Sequence, residues 1–517
     1  MPILDKAHSC EILADPRYPQ LYLYTDERGI SISTEPLAHK YPQWVLPNIT
    51  APMLGDAAFR TAHRTKYAYC AGAMANGIAS ADLVIALGKN GMLGSYGSGG
   101  CSLEQIAQDI DKIQAALCDD APYMINMLHN RNAAEEMALA KLLIAKNVRQ
   151  VEASAYIQMS EALVYYRLNG VTQRADGTIA IAHAIMAKVS REEVLRAFAA
   201  PPDPKLVASL LAQGLITEQE AALSQSIPMA DDITVEADSG GHTDARPLVS
   251  ILPALIALNH SLQVQYGYQT PVRIGAGGGI GTGLSALGAF QLGAAYVMTG
   301  SVNQSCVEAG TSDYVKQLLA ETAMADITMA PCADMFEMGA KVEVLKKKTM
   351  YAQNAQKLYE YYVKYPSYAA IPAAEQQKIE TRILKKPYAE IWSMTQDYFR
   401  RVDPRQLDKA AQNEKYQMAL VFRWYLGSSS RWAVNGDLTR ATDMQIWCGQ
   451  AMGAFNLWVQ GTALQQPAQR KAAEVGALIM RTCAYAYMKS LCVTLGSDPA
   501  LFEADPLRAY LAAGDGF

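Results

Sequence analysis

The residues with the clearest chemical reading in this 517-residue chain are the glycines between Arg273 and Leu284, in the order Arg-Ile-Gly-Ala-Gly-Gly-Gly-Ile-Gly-Thr-Gly-Leu. An apolar run leads into them, and a helix is expected to start near Thr282. Glycine lets the backbone approach a phosphate closely, and the unpaired N–H groups at a helix start favour its charge. The spacing is not G-x-G-x-x-G, so the dinucleotide fingerprint of an open doubly wound sheet fails. A second small-residue turn, Thr299-Gly300-Ser301, closes the next apolar run. Gly277, Gly278 and Gly279 with Gly300 and Ser301 therefore read as two halves of one phosphate cradle. Plain tight turns are the blander alternative.

A second constellation is Glu236-Ala-Asp-Ser239-Gly240-Gly241-His242-Thr-Asp244, which follows an apolar run. Two glycines before His242 would let the backbone lie against a flat ring and aim the imidazole inward. A lone histidine is usually structural, but one beyond the C-terminal end of a barrel strand reads as catalytic. All seven histidines precede Ser261, so imidazole chemistry cannot come from the C-terminal region. Ala51-Pro-Met53 could cover one face of a flat ring, and the Asn126 amide could meet its polar edge. Each is weak alone. The nine cysteines include no C-x-x-C pair, which argues for reduced thiols and gives no metal-ligand spacing. Cys306, just past the glycines, is the least ordinary of them, and even it reads as a buried thiol.

These residues need elements to hold them. Short apolar runs at Leu46–Met53, Met92–Ser95, Pro122–Leu128, Gln150–Ser154, Ala182–Lys188, Ile233–Asp238, Val272–Gly275 and Ala295–Gly300 read as eight strands. Amphipathic stretches such as Asp82–Lys89, ended by Gly91, and Ala133–Lys146 lie between them. Eight strand–helix alternations favour an α/β architecture, a closed (β/α)₈ TIM barrel, over residues 46–310. Residues 1–45 read as an N-terminal extension. Residues 190–232 read as a helical insertion after strand five, with capping pairs at Ser190/Glu193 and Thr217/Glu220, serving as a lid or a packing insert. Residues 311–517, where strand signals fade, read as a mainly helical C-terminal region.

A formal charge of −5 gives no reason to expect nucleic acid or an anionic membrane as partner. The apolar stretches read as too short to span a bilayer, and Met1–Cys10 lacks an apolar signal core. A cytoplasmic location is the expectation. Homo-oligomerisation is left open.

The Ala-Pro-Met turn, Asn126, the Ser-Gly-Gly-His turn and the two glycine cradles together resemble the flavin barrels of nitronate monooxygenases and FMN-type enoyl-acyl-carrier-protein reductases. Longer segments are similar to the PfaD-like enoyl reductases, which act in trans with polyunsaturated fatty acid and trans-acyltransferase polyketide synthases. These are Lys66–Ser80, Glu236–Pro247, Met329–Gly339, Ala419–Gly427 and Ile446–Phe455. Arg64, where the pattern expects glycine, and Cys70 are small departures.

The resemblance implies NADPH-dependent, FMN-mediated reduction of a 2-enoyl thioester held on an acyl carrier protein. It carries Ala51, Met53, Asn126, Ser239, Gly240, Gly241, Gly277, Gly278, Gly279, Gly300 and Ser301 over as FMN contacts. His242 becomes the donor to the thioester oxygen or the proton source for the α-carbon, supported by Lys66 and His63. No metal is implied. The run Lys341, Lys346, Lys347, Lys348 invites docking of an acidic carrier protein, although such a run is more often a solvated face. Two alternatives stand: a nitronate-oxidising flavin oxidase using O₂, and a non-catalytic docking component of a synthase.

Overall fold

The computed structural model describes residues 4–6, 8–26, 29–117, 121–130 and 132–513. Eight parallel strands close into a barrel: β1 Tyr69–Ala71, β2 Leu93–Tyr96, β3 Met124–Leu128, β4 Gln150–Ser154, β5 Ala184–Val189, β6 Asp232–Glu236, β7 Arg273–Gly277 and β8 Val297–Thr299. The (β/α)₈ expectation is met, with one correction to its first strand. Leu46–Met53 is not in the barrel. Trp44–Pro47 pairs antiparallel with Gln20–Asp26 in a separate three-stranded sheet, and Ala51–Met53 is a 3₁₀ turn. The true first strand lay unread inside Tyr69–Ala71, because three buried residues are too few to show a period.

Polar caps start the barrel helices, and the sequence announces them. Ser80 accepts from Leu83 N–H at the start of α1 (Ala81–Lys89), Ser102 from Gln105 N–H at α2 (Leu103–Ala116), and Asn132 from Ala134 N–H at α3 (Ala133–Ala145). Ser160 does the same at α4 (Glu161–Leu168). Each such cap contributes about 1 kcal/mol. Gly91, at φ +66, lies just past the end of α1 as expected. Helix α5 (Glu192–Ala199) starts from Arg191 without a side-chain cap, because the Ser190 hydroxyl donates to Asp244 instead. The Thr217/Glu220 box is present. The insertion after β5 continues through Pro204–Ala212, which packs on α4, and Glu218–Leu223. Its Glu220 receives Gly170 N–H, so it is pinned to the loop that follows α4.

Helix α6 (Leu248–Tyr266) is 19 residues long and apolar enough to cross a membrane by length and composition, which corrects the expectation of shorter runs. In this fold it follows β6 and packs on β6, β7 and α5. Asn259 fixes it by donating to Val272 O at 2.9 Å. Helix α7 (Gly283–Gln291) is capped by Thr282, as the sequence indicates. The eighth position is different. Helix α8 (Ser301–Gln304) has only four residues, and α9 (Ala472–Thr494) packs against both α7 and α1. A helix from the far end of the chain thus fills the wall between the seventh and first helices. Gly283 and Gly476 permit the contact: a Cβ on the first would meet Thr482 at 2.6 Å, and on the second Tyr69 at 2.9 Å.

The compact units therefore divide differently from the expected boundaries. The first contains 1–238, 244–310 and 457–517; the second contains 239–243 and 311–456. The second unit also holds strands that the sequence did not reveal. Ile327–Pro331 and Lys341–Leu345 pair antiparallel, and Gly241–His242 adds a third, short strand to Lys341–Leu345. Helices including Tyr351–Lys364 and Glu414–Asn435 cover this sheet around Phe336, Val342, Tyr351, Phe422 and Tyr425. Eight of the cysteines are free, and Cys118 lies outside the described residues.

Candidate functional site

The barrel has two ends, and the expected site residues divide between them. Helix Ala57–His63 enters the barrel from the N-terminal ends of the strands. Phe59 stacks on Tyr296 with 4.3 Å between ring centroids, in a cluster with Cys70, Met124 and Met186. His63 Nε2 lies 2.7 Å from Asp232 Oδ2, Arg273 Nε donates to Asp232 Oδ1 at 2.6 Å, and Gln150 contacts His63 Nδ1 at 2.8 Å. Asp232, Arg273 and Gln150 are the first residues of β6, β7 and β4. Burial pushes the Asp232 carboxyl up, but His63 and Arg273 outweigh it and hold the group below its ordinary value. Lys66 lies at the same end, its N–H donating to Gly91 O ahead of β2. Barrel chemistry occurs at the opposite, C-terminal end. The structure thus sets His63 and Lys66 apart from the mouth, in a plug that closes the floor.

Ala51 and Met53 are displaced for the same reason. Their turn packs against α9, and the next residues approach Ala295 and Ala68, just ahead of β8 and β1. The loop that does leave the C-terminal end of β1 is Gly72-Ala73-Met74. Gly72 N–H donates to Thr299 O and Ala73 N–H to Glu152 Oε2, both at 2.9 Å. A Cβ on Gly97, after β2, would collide with the Met74 carbonyl, so the two loops interlock.

The mouth itself is built from β3 to β8. Asn126 is buried in β3 and donates to Glu152 O and Ser154 Oγ, both at 2.9 Å. Glu152 of β4 is fully buried, and its Oε1 lies 3.7 Å from Lys188 Nζ. Lys188 of β5 reaches Glu236 Oε1 of β6 at 2.9 Å. Burial alone would push the Lys188 ammonium down; Glu236 and Glu152 reverse this and keep it charged. Sequence reasoning missed Glu152 and Lys188. A signal existed: each is the sole charge in a run otherwise read as buried strand, and a buried charge must be paired.

The glycine turns follow β7 and β8, which are neighbours in the barrel. Gly278 sits at φ +89, and a Cβ there would lie 2.8 Å from Ala237 C and Asp238 O. Only glycine fits. Gly279, at φ +71, and Gly300 have nothing within 4 Å of where a Cβ would stand. Among the described residues, the N–H groups of Gly278, Gly279 and Gly300 donate to no other group of the chain. Unfilled donors beside open space are what an anionic phosphate requires. The α7 terminus is separately occupied, since Ser285 Oγ accepts from Gly281 and Thr282 N–H.

Beyond Asp238 the loop after β6 passes into the second unit. Gly241 has φ +87, and a Cβ on Gly240 would meet Cys448 at 2.9 Å. His242, half-exposed, places Nε2 3.1 Å from Asp334 Oδ1. Burial opposes protonation, but Asp334 and Cys332 dominate and push His242 up to about 10, while Asp334 falls to about 2 despite its own burial. The imidazole is therefore a cation at neutral pH. Nitrogen, sulfur and oxygen atoms of His242, Cys332 and Asp334 lie within 4.8 Å of one another, but the direct His–Asp contact accounts for the pair without an ion.

A closed barrel whose last two strands end in neighbouring glycine turns defines a (β/α)₈ protein with a candidate phosphate cradle at its mouth. Comparison with known proteins narrows this. Residues 58–388 match the nitronate monooxygenase model, and residues 365–444 match the inserted helical domain of acyl-carrier-protein S-malonyltransferase. The enoyl reductase domain of MlnA, from the macrolactin cluster of Bacillus amyloliquefaciens, superposes with a TM-score of 0.82 at 36% identity, over 86% of this chain and 99% of that one. A polyunsaturated fatty acid synthase component of Thraustochytrium sp. is 44% identical over 80% of this chain and 28% of its own length. Polyketide biosynthesis protein PksE of Bacillus subtilis is 42% identical over 84% of this chain and 57% of its own. The chain thus spans only part of the length of these last two relatives. It belongs to the nitronate monooxygenase family of oxidoreductases, in the branch of PfaD-like enoyl reductases.

Proposed function

We propose that this chain is an FMN-dependent enoyl reductase that uses NADPH to saturate the α,β-double bond of a 2-enoyl thioester on an acyl carrier protein. The observation that carries this reading is the pair of glycine turns after β7 and β8, with N–H donors facing open space. FMN, when bound, would supply the route for hydride from NADPH to the β-carbon. Gly277, Gly278, Gly279, Gly300 and Ser301 would hold its phosphate. Asn126 and the Gly72–Met74 loop take the ring-contact roles that the sequence assigned to Asn126 and to Ala51 and Met53. Lys188, held charged between two carboxylates, supplies a fixed positive charge where electron density accumulates. The family resemblance gives His242, carried on Ser239, Gly240 and Gly241, the role of proton source for the α-carbon, which would balance the hydride. Removing such a donor costs roughly 10²- to 10³-fold in rate.

The names of the relatives support a synthase setting, with a carrier protein as partner. The lysine run gives this less support than its sequence promised: Lys348 is 2.6 Å from Glu321, and Lys347 is 3.4 Å from Asp326. The test is a visible spectrum of the purified protein followed by turnover assays. Flavin absorption and NADPH loss with crotonyl-carrier protein are expected. A protein that cannot be loaded with FMN would refute the proposal. Oxidation of 2-nitropropane by O₂ without NADPH would place it with the nitronate oxidases instead.

A further inference from the structure

The eight barrel strands carry five charged side chains: Glu152 on β4, Lys188 on β5, Asp232 and Glu236 on β6, and Arg273 on β7. Asp232 and Arg273 cancel one another at the floor. The other three lie on the mouth side of that pair, on adjacent strands, with two carboxylates against one ammonium. The charge left over inside the barrel is therefore negative. Lys188 and Glu236 form a close pair at 2.9 Å, which leaves Glu152 as the surplus group. It is fully buried, and its Oε2 accepts Ala73 N–H at 2.9 Å. Among the described residues its Oε1 has no hydrogen-bond partner, and Lys188 Nζ, at 3.7 Å, is beyond hydrogen-bond range.

That surplus needs a reason. Burying a carboxylate is costly unless hydrogen bonds and opposite charge replace its water. A glutamine has the same shape, could accept Ala73 N–H through its carbonyl oxygen, and would bury no charge. Anchoring the Gly72–Met74 loop explains the side chain at position 152 but not its charge.

We infer that Glu152 is a positioning residue whose negative charge, acting with Lys188, keeps the reduction potential of a flavin held at this mouth low. The inference rests on the FMN reading proposed above. Two electrons enter with the hydride that NADPH gives up. They leave with the hydride that joins the β-carbon, while a proton joins the α-carbon. A negative charge beside the site opposes the first transfer and favours the second, and a low-dielectric interior carries that effect over several ångströms. Lys188 acts in the opposite sense, because its ammonium favours electron density at the site. Glu152 moderates that pull, so density is accepted but not retained. Glu236 serves differently, since its contact with Lys188 fixes where the ammonium stands.

Reduction potentials of the FMN-loaded full-length protein, read by visible absorbance against a reference dye, test this. Glu152→Gln should favour the reduced flavin about ten-fold or more over the wild type, a rise of about 30 mV for a two-electron couple. Its FMN Kd should stay close to the wild-type value, because the amide oxygen still accepts Ala73 N–H. Glu152→Asp keeps the charge and should keep the potential, although its shorter side chain gives up the Ala73 contact and weakens FMN binding. Lys188→Met should shift the potential the other way. In rapid mixing, E152Q should be reduced by NADPH at least as fast as the wild type and reoxidised by crotonyl-carrier protein about ten-fold more slowly. A loop anchor alone would leave the E152Q potential where it was, and that result overturns the inference while the FMN reading stands. Shifts of the same sign in E152Q and K188M overturn it as well. A wild type that takes up no FMN overturns both. Should K188M fail to fold, the E152Q and E152D potentials decide alone.

Discussion

At the scale of single residues, the decisive pair is His242 and Asp334. The imidazole is raised to about 10, so its proton-donating form persists through neutral pH and is lost only as pH rises through that value. Asp334 is the acceptor that holds it there, at 3.1 Å. Replacing Asp334 by Asn keeps a hydrogen-bond partner but removes the negative charge. The alkaline limb of kcat should then fall toward the ordinary histidine value of about 6.5. A pH–rate profile of the D334N variant checks this, and an unmoved limb would assign the proton to another group. His63 presents the opposite case. The family resemblance gave it a supporting role beside His242, yet it caps a buried ion pair at the barrel floor. His63→Ala leaves Asp232 and Arg273 with an incomplete shell and should cost about 3–5 kcal/mol. Thermal and denaturant unfolding should register that loss, while kcat of the flavin-loaded protein at low temperature changes less than about two-fold. A large fall in kcat with unchanged stability would return His63 to the active site.

At the scale of elements, the glycine turns separate a glycine that is required from one that is merely present. Gly278→Ala places a Cβ 2.8 Å from Ala237 and Asp238 at φ +89. The left-handed conformation alone costs about 1–2 kcal/mol for an alanine, and relief of the clash must move the turn that offers its N–H groups. The variant should purify with far less flavin, and its FMN Kd should rise ten-fold or more. Gly288→Ala lies on the exposed side of α7, with nothing within 4 Å of the new Cβ. It should keep its flavin and gain up to about 1 kcal/mol of stability. Equal behaviour of the two variants would remove the steric argument. The turns were legible in the sequence because glycine spacing is a direct imprint of backbone conformation. Strand β1 was not, since Tyr69-Cys-Ala is short and buried, whereas Leu46–Met53 is longer and more apolar. That error carried Ala51 and Met53 with it and hid the Gly72–Met74 loop. Lys188 and Glu152 were hidden differently: each looked like a flaw in a buried strand until its partner on the adjacent strand was known.

At the scale of the whole molecule, the sequence conveyed the barrel but not which segments complete it. Strand–helix alternation repeats locally and can be counted along the chain. The wall position of α9 rests on contacts between residues about two hundred and about four hundred positions apart, and no local period records them. Side-chain fit records it instead: Gly283 against Thr482, and Gly476 against Tyr69. The consequence can be tested. Val475, Ile479, Met480 and Met488 on α9 are fully buried, and at roughly 1.5–3 kcal/mol each they account for about 6–12 kcal/mol. That is comparable to the total stability of a typical domain, about 5–15 kcal/mol. A chain ending at Asn456 would retain the second unit's residues but leave the wall between α7 and α1 open. It should be insoluble or bind hydrophobic dyes strongly, and should fail to retain FMN. Co-expression of residues 457–517 as a separate peptide should restore soluble, flavin-loaded protein, because the segment acts by packing and not by connection. A truncated chain that purifies as a monodisperse flavoprotein would show that the barrel closes without α9, and would reinstate a C-terminal region independent of it.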